Sequence, residues 1–252
     1  MGESENVLPR TPLIPDLTRS RAELRKAAIM TGAVGAVFAI LFLLSLWLLR
    51  SAPHANRPDQ EFVDFYSSDE RRKIMLVGLY LLPFSAVAFI WFIASLRQWV
   101  AHSPRRGSQM IGTVQLLSGM AFITLALVSA AAATMPAALV ELGYDTIDAD
   151  MARDFPLFGN TLLLVFGVRM AAMFVMTTTN IGRASGYMPR WFSIVSIVLA
   201  AVLFLSFSLT IWLVVLFPVW VFALGALIIY HAYKADPESH EVISRDGIAG
   251  DE

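Results

Sequence analysis

Long apolar runs alternate with short polar segments along the 252-residue chain. A helix crossing the roughly 30 Å hydrocarbon core of a bilayer needs about 20 apolar residues, and six stretches of this sequence meet that requirement. The first, 27–49, lies between Arg25-Lys26 and Arg50. Ahead of it, Ser20 and Glu23 have the spacing with which two side chains satisfy each other's backbone N–H groups at a helix start. A cleavable targeting segment would be shorter and end in small residues, whereas this run stays apolar up to Leu48-Leu49-Arg50 and reads as a retained span.

The second span, 74–96, sits between Arg71-Arg72-Lys73 and Arg97 and contains Pro83 near its middle. Proline lacks the N–H and crowds the preceding turn, so a kink is expected there. The third span, 111–135, ends ahead of Pro136, and the fourth, 159–179, carries Arg169 close to its midpoint. From Trp191 to Tyr233 the chain runs 43 residues without a charge. At 1.5 Å per residue that is about 65 Å, twice a membrane thickness, so it must be a hairpin of two helices. These are placed at 191–207 and 210–233, with the turn in Ser206-Phe207-Ser208-Leu209-Thr210. Before the second span, residues 61–66 suit a short interfacial turn, and Ser67 and Glu70 have capping-box spacing.

The basic residues set an orientation, because Lys and Arg in short loops stay on the cytoplasmic side. With both termini cytoplasmic, the inner segments hold 12 of the 19 Lys and Arg and the outer ones 6, Arg169 being the last. Arg71, Arg72 and Lys73 fall on the outside against the trend, beside Asp69 and Glu70 as local partners. Trp47 and Trp212 fall near the outer boundary and Trp99 and Trp191 near the inner one, where amphipathic rings prefer to sit.

Composition narrows the chemistry. The chain is 57% hydrophobic and 15% charged, with a mean hydropathy of +0.63, too few charges to coat a water-soluble surface. The net charge of −1 gives no pull toward nucleic acid. With no cysteine, disulfides, thiolate metal sites and cysteine nucleophiles are excluded. The four histidines, His54, His102, His231 and His240, lie in loops, in the tail or at the end of the last span, which argues against a haem held between helices. No intramembrane Asp pair, Ser–His pair or acidic relay exists for proteolysis or proton pumping. No glycine-rich phosphate loop occurs either. A non-enzymatic protein without cofactor or metal is expected.

Arg169 is the one charge inside a span, and such a residue must face protein or water. Its helical face also presents Leu162, Val165, Met173, Met176 and Asn180. Two readings are open. Arg169 holds an anionic ligand, such as a lipid headgroup, carboxylate or phosphate, with Gln115 and Asn180 as helpers; or it ties helices together through backbone carbonyls and Gln115. Ala28, Gly32 and Ala36 line small residues along one face of the first span, for packing inside the bundle or between copies. The alanine-rich Ser129 to Ala133 reads the same way. In the acidic segment 141–154, Asp145, Asp148 and Asp150 offer hard oxygen ligands for a divalent cation, but without the glycine turn and terminal glutamate of a calcium loop the segment reads as solvated.

Two local patterns resemble a known grouping. Gly78-Leu79-Tyr80-Leu81-Leu82, continuing from Phe89 to Arg97, and Gly186-Tyr187-Met188-Pro189-Arg190-Trp191 are similar to stretches of a loose group of uncharacterised bacterial multi-span membrane proteins with Pro-Arg-Trp at the start of the penultimate helix. Pro189 suits a helix start, Arg190 the cytoplasmic boundary and Trp191 an interfacial anchor. The resemblance implies a six-helix membrane domain and carries over no catalytic residue.

The expected fold is therefore all-α, a polytopic bundle of six transmembrane helices over 27–233, with a partly disordered cytoplasmic segment 1–26 and a disordered cytoplasmic tail 234–252. The bacterial inner membrane is the expected location. The expected function is an accessory or structural membrane component, the alternative a transporter or lipid- or anion-binding protein using Arg169. Expected partners are membrane lipid and either a second copy or a partner membrane subunit, without nucleic acid.

Overall fold

The computed structural model describes residues 15–53, 57–101, 109–144, 148–206 and 212–234, with backbone only for 15–24 and 99–101. Both tails, most of the hairpin turn at 206–210, Asp145, His54, His102, His240 and the side chains of Ser20, Glu23 and Trp99 lie outside what it describes. The described elements are all helical. Helix α1 covers Pro15–Leu49 and α2 covers Asp59–Ser67. Helix α3 starts as Arg71–Leu76, passes through a π-helical Val77–Leu81 and continues as Leu82–Ala101. Helix α4 is Gln109–Glu141. Helix α5 runs Ala149–Thr161, a π-helical Leu162–Gly167, then Val168–Ser185. Helices α6, Arg190–Leu205, and α7, Trp212–Lys234, complete the order. Among them α1, α3, α4, α5 and α7 are long and apolar enough to cross a membrane, and α6 is a shorter apolar helix of 16 residues.

Helices in lipid gain little from hiding apolar surface and associate through close packing and polar contacts. Each of the five long helices contributes phenylalanine to a central cluster: Phe38 and Phe42 from α1, then Phe89, Phe122, Phe174 and Phe217. Ring centroids are 4.5 Å apart for Phe122–Phe217, 4.6 Å for Phe38–Phe89 and 5.4 Å for Phe89–Phe174. The tilted and edge-on geometries suit the ring quadrupoles. Side-chain hydrogen bonds then fix neighbours: Gln115 Nε2 of α4 donates to Thr178 Oγ1 of α5 at 2.8 Å. Trp220 Nε1 of α7 donates to Ser196 Oγ of α6, also at 2.8 Å.

Helices α1 and α7 run antiparallel along their length. Arg25 lies over the Tyr233 ring at one end and Arg50 over the Trp212 ring at the other, each at 4.7 Å. Between them the Gly32 and Gly225 backbones touch: a Cβ on Gly32 would meet Ile229 at 2.4 Å and the Gly225 carbonyl at 2.8 Å. The Ala28/Gly32/Ala36 face is thus used within the chain, with Ala28 fully buried and Ala36 half-buried. We call the Arg25/Tyr233 end terminal and the Arg50/Trp212 end distal.

Several element boundaries differ from the sequence expectation. Pro83 follows a π-helical turn, closed by the Leu82 N–H on the Val77 carbonyl, and the widened turn makes room for the ring. Pro136 does not end α4, which continues to Glu141 with Pro136 and Ala137 buried. Its stop is Gly143, whose φ of 90° allows the Gly143 and Tyr144 N–H groups to turn back onto the Val140 and Leu139 carbonyls. The fourth span is longer than 159–179 because Asp148 caps α5 by accepting from the Asp150 N–H, so half of the acidic segment is helical. Ser67 ends α2 and does not cap α3; the Glu70 N–H bonds to Ser68 Oγ instead. The interfacial turn at 61–66 is part of α2, whose Phe62 and Tyr66 pack with Ile74, Ala137 and Ala152 in a small distal cluster.

Candidate functional site

Arg169 follows the π-helical segment of α5. Its guanidinium donates to the Val165 carbonyl inside that segment and, at 3.4 Å, to the Ser206 carbonyl at the end of α6. Arg169 is 16 residues before Ser185, and Ser206 is 16 residues after Arg190. Both therefore sit about 24 Å along their helices from the terminal end. The 16-residue α6 stops at the depth of the arginine, and the last carbonyls of a helix have no partners within it and carry partial negative charge. Arg169 serves as a cap for α6. Gln115 does not help it, since that amide is bonded to Thr178, nine residues and about 14 Å further along α5. Asn180 is exposed about 16 Å away along the same helix. Glu141, at the end of α4, pairs with Arg71 at 3.6 Å at the distal end. The sequence-derived trio thus does not converge.

The remaining sequence-predicted positions lie at the terminal end. Pro189 is the N-cap of α6, and its carbonyl accepts from the Ser193 N–H at 3.1 Å. Arg190 and Trp191 are exposed at the first turn. The preceding loop folds back on α5: Gly186 has φ 78°, and the Met188 N–H reaches the Gly182 carbonyl. Burial pushes the Tyr187 phenol up. His231 sits in the last turn of α7, and among the described residues no cluster of His, Asp and Glu is placed to hold a metal ion.

Polar and apolar groups converge instead at the distal end, in a two-compartment crevice. The outer compartment has a volume of about 610 Å³ and is lined by Arg50, Arg153, Asn160, Trp212, Tyr66 and Phe62, among others. The inner one, about 190 Å³, lies between Phe42, Leu46, Ala126, Leu163, Leu164 and Val214. Leu49, Leu157 and Asn160 line both, so the two adjoin. From Leu49 to Phe42 the crevice descends α1 by about 10 Å. The π-helical segment of α5 borders it through Leu163 and Leu164, and Leu82 lines it just after the π-helical turn of α3. Such segments widen a helix locally and recur at binding sites.

The cations of the outer compartment are held differently. Arg50 stacks on Trp212 and forms no ion pair among the described residues. Arg153 is paired with Asp59 of α2 and, at 3.7 Å, with Asp150; it also donates to the Arg57 carbonyl and lies 5.2 Å from the Phe62 ring centre. Its buried Nε has no hydrogen-bond partner among the described residues. Burial pushes the Tyr66 phenol up to about 12, so it is a neutral hydroxyl at any ordinary pH. The Asn160 amide makes no side-chain hydrogen bond among the described residues. Among the described residues, neither compartment is lined by Asp, Glu or His. A cationic, amide-bearing mouth over an apolar pocket can hold an anionic head and an apolar tail.

Sequence reading passed over these residues. Arg50 registers only as a span boundary, although its lack of an acidic neighbour within four residues separates it from the paired Arg57, Arg72 and Lys73. The signal at Asn160-Thr161 is two polar residues in succession inside an apolar run. No protein-family model, curated protein or solved structure matches the chain.

Proposed function

We propose that this chain is a non-enzymatic integral membrane protein that binds an anionic amphiphile in the distal crevice. The observation that carries this reading is Arg50, a cation without a carboxylate partner among the described residues, at the mouth of a cavity that narrows into an apolar pocket. In this reading α6 counts as the sixth crossing, short by about one turn and completed by the capped end at Arg169. Both termini face the cytoplasm of a bacterial inner membrane, the side favoured by the basic residues, and the crevice opens to the outer leaflet. Arg50 and Trp212 then lie at headgroup depth and the inner pocket at acyl-chain depth. The accessory role expected from the sequence fits such a protein, with the bound lipid as its ligand.

The test is binding of a fluorescent short-chain phosphatidylglycerol to the purified protein in nanodiscs of zwitterionic lipid. Wild type is expected to bind it in preference to the matching phosphatidylcholine. Arg50→Leu should lose about 1.5–3 kcal/mol, a tenfold or greater weakening, the usual value of a charge-assisted contact. Equal binding by wild type and Arg50→Leu would overturn the proposal.

A further inference from the structure

We propose that the headgroup is a phosphate ester held between Arg50 and Arg153, and that it binds by replacing Asp59 on Arg153, unlatching α2 from the mouth of the crevice. This rests on the amphiphile reading above and names its ligand class and its gate.

Arg153 is the second cation of the lining, and its guanidinium is already shared between Asp59 and Asp150. Asp59 is the first residue of α2 and its side chain is 66% exposed, and an ion pair with one partner so exposed to water holds weakly. A phosphate monoester brings more charge than a carboxylate and several acceptor oxygens, which suits a guanidinium fork and offers acceptors to the unpartnered Arg153 Nε. Among the described residues Arg50 has no carboxylate to surrender, so the phosphate gains one cation without displacing a described partner and the other by exchange.

The consequence for α2 follows from how it is held. Beside the packing of Phe62 and Tyr66 on Ile74, Ala137 and Ala152, the start of α2 has a polar tie at Arg153, which pairs with Asp59, donates to the Arg57 carbonyl and covers the Phe62 ring. At its end, Ser68 turns the chain into α3, its N–H on the Asp64 and Phe65 carbonyls and its backbone extended at φ −87°, ψ 171°. Phe62 and Tyr66, which line the mouth, lie between these two points. Exchange at Arg153 releases the first attachment and leaves the second as a pivot.

The experiment uses the full chain in nanodiscs and a fluorescent short-chain phosphatidic acid as probe, with diacylglycerol of the same chains and inorganic phosphate as competitors. Asp59→Asn removes the internal competitor at an exposed position and is expected to tighten binding several-fold, while Arg50→Leu weakens it about tenfold. Spin labels at Glu61→Cys and Asp154→Cys, in a chain without native cysteine, should move apart when the probe is added. If Arg50→Leu weakens binding but Asp59→Asn leaves it unchanged and the labels stay put, the latch is overturned and the amphiphile reading stands. If Arg50→Leu binds like wild type, the amphiphile reading fails and takes the latch with it. Displacement by inorganic phosphate at the probe's own concentration would overturn the lipid as ligand, and displacement by diacylglycerol would overturn the phosphate.

Discussion

An arginine inside an apolar span invites a ligand, because the cost of burying it must be offset somewhere. At Arg169 the offset is internal: a carbonyl of the π-helical segment on its own helix and one at the end of α6. Its leucine variant takes a donor away from that helix end and should lower stability by about 1–3 kcal/mol, the usual cost of leaving a buried polar group unmatched. Lysine, with a single point charge in place of a fork, should recover part of it. Thermal unfolding in detergent measures both. The molecules of Arg169→Leu that remain folded are expected to bind phosphatidic acid with wild-type affinity, since Arg169 lines neither compartment of the crevice. A loss of affinity in the folded fraction would restore Arg169 to a ligand-binding role. The sequence shows such a residue plainly but not its partners, because these are main-chain carbonyls whose availability depends on where neighbouring helices stop.

At the scale of elements, helix–helix contact is set by the smallest residues. A Cβ on Gly159 would sit 2.5 Å from the Ser129 carbonyl oxygen of α4, and a backbone atom cannot rotate away. Gly159→Ala should therefore force α4 and α5 apart and cost about 1–3 kcal/mol, the range for overpacked cores. It should also weaken amphiphile binding, because Asn160 and Leu163 move with α5. Gly112 is the matched control: nothing lies within 4 Å of its Cβ position, and alanine there should be neutral or stabilise by up to about 1 kcal/mol through helix propensity. Unfolding midpoints of the two variants measured side by side decide the matter. The apolar runs and the small-residue faces were both readable from sequence, since each is a local pattern. The ends of α4 and α5 were less so. Pro136 looks like a stop because a proline costs a helix one hydrogen bond, yet its ring is buried and α4 continues until Gly143 supplies a left-handed residue. Asp148 reads as one of five acidic residues in a loop, and its capping role emerges only with Asp150 folded against it.

For the whole molecule, the antiparallel pair α1–α7 and the intervening helices put the Arg25/Tyr233 contact and the Arg50/Trp212 contact at opposite ends of one bundle. That arrangement places the crevice at one end, and its parts come from α1, α2, α3, α4, α5 and α7. Residues so far apart in sequence, Arg50 and Asn160 among them, carry no mutual spacing that a reading of the chain can detect, which is why the site came from the fold and the spans from the sequence. If the two ends of the bundle face opposite sides of a membrane, there is a direct consequence in a chain lacking cysteine. Asp148→Cys, at the distal start of α5, and Lys234→Cys, at the terminal end of α7, should react with a membrane-impermeant maleimide from opposite faces of oriented vesicles. With the termini cytoplasmic, Asp148→Cys is the one labelled in intact cells. Labelling of both from one face would remove the crossing by α5 or α7 and with it the separation of headgroup and acyl-chain depths on which the amphiphile site depends. Labelling of Lys234→Cys alone in intact cells would keep the bundle and turn the crevice toward the cytoplasmic leaflet, where its anionic ligand would have to be drawn from inner-leaflet lipid.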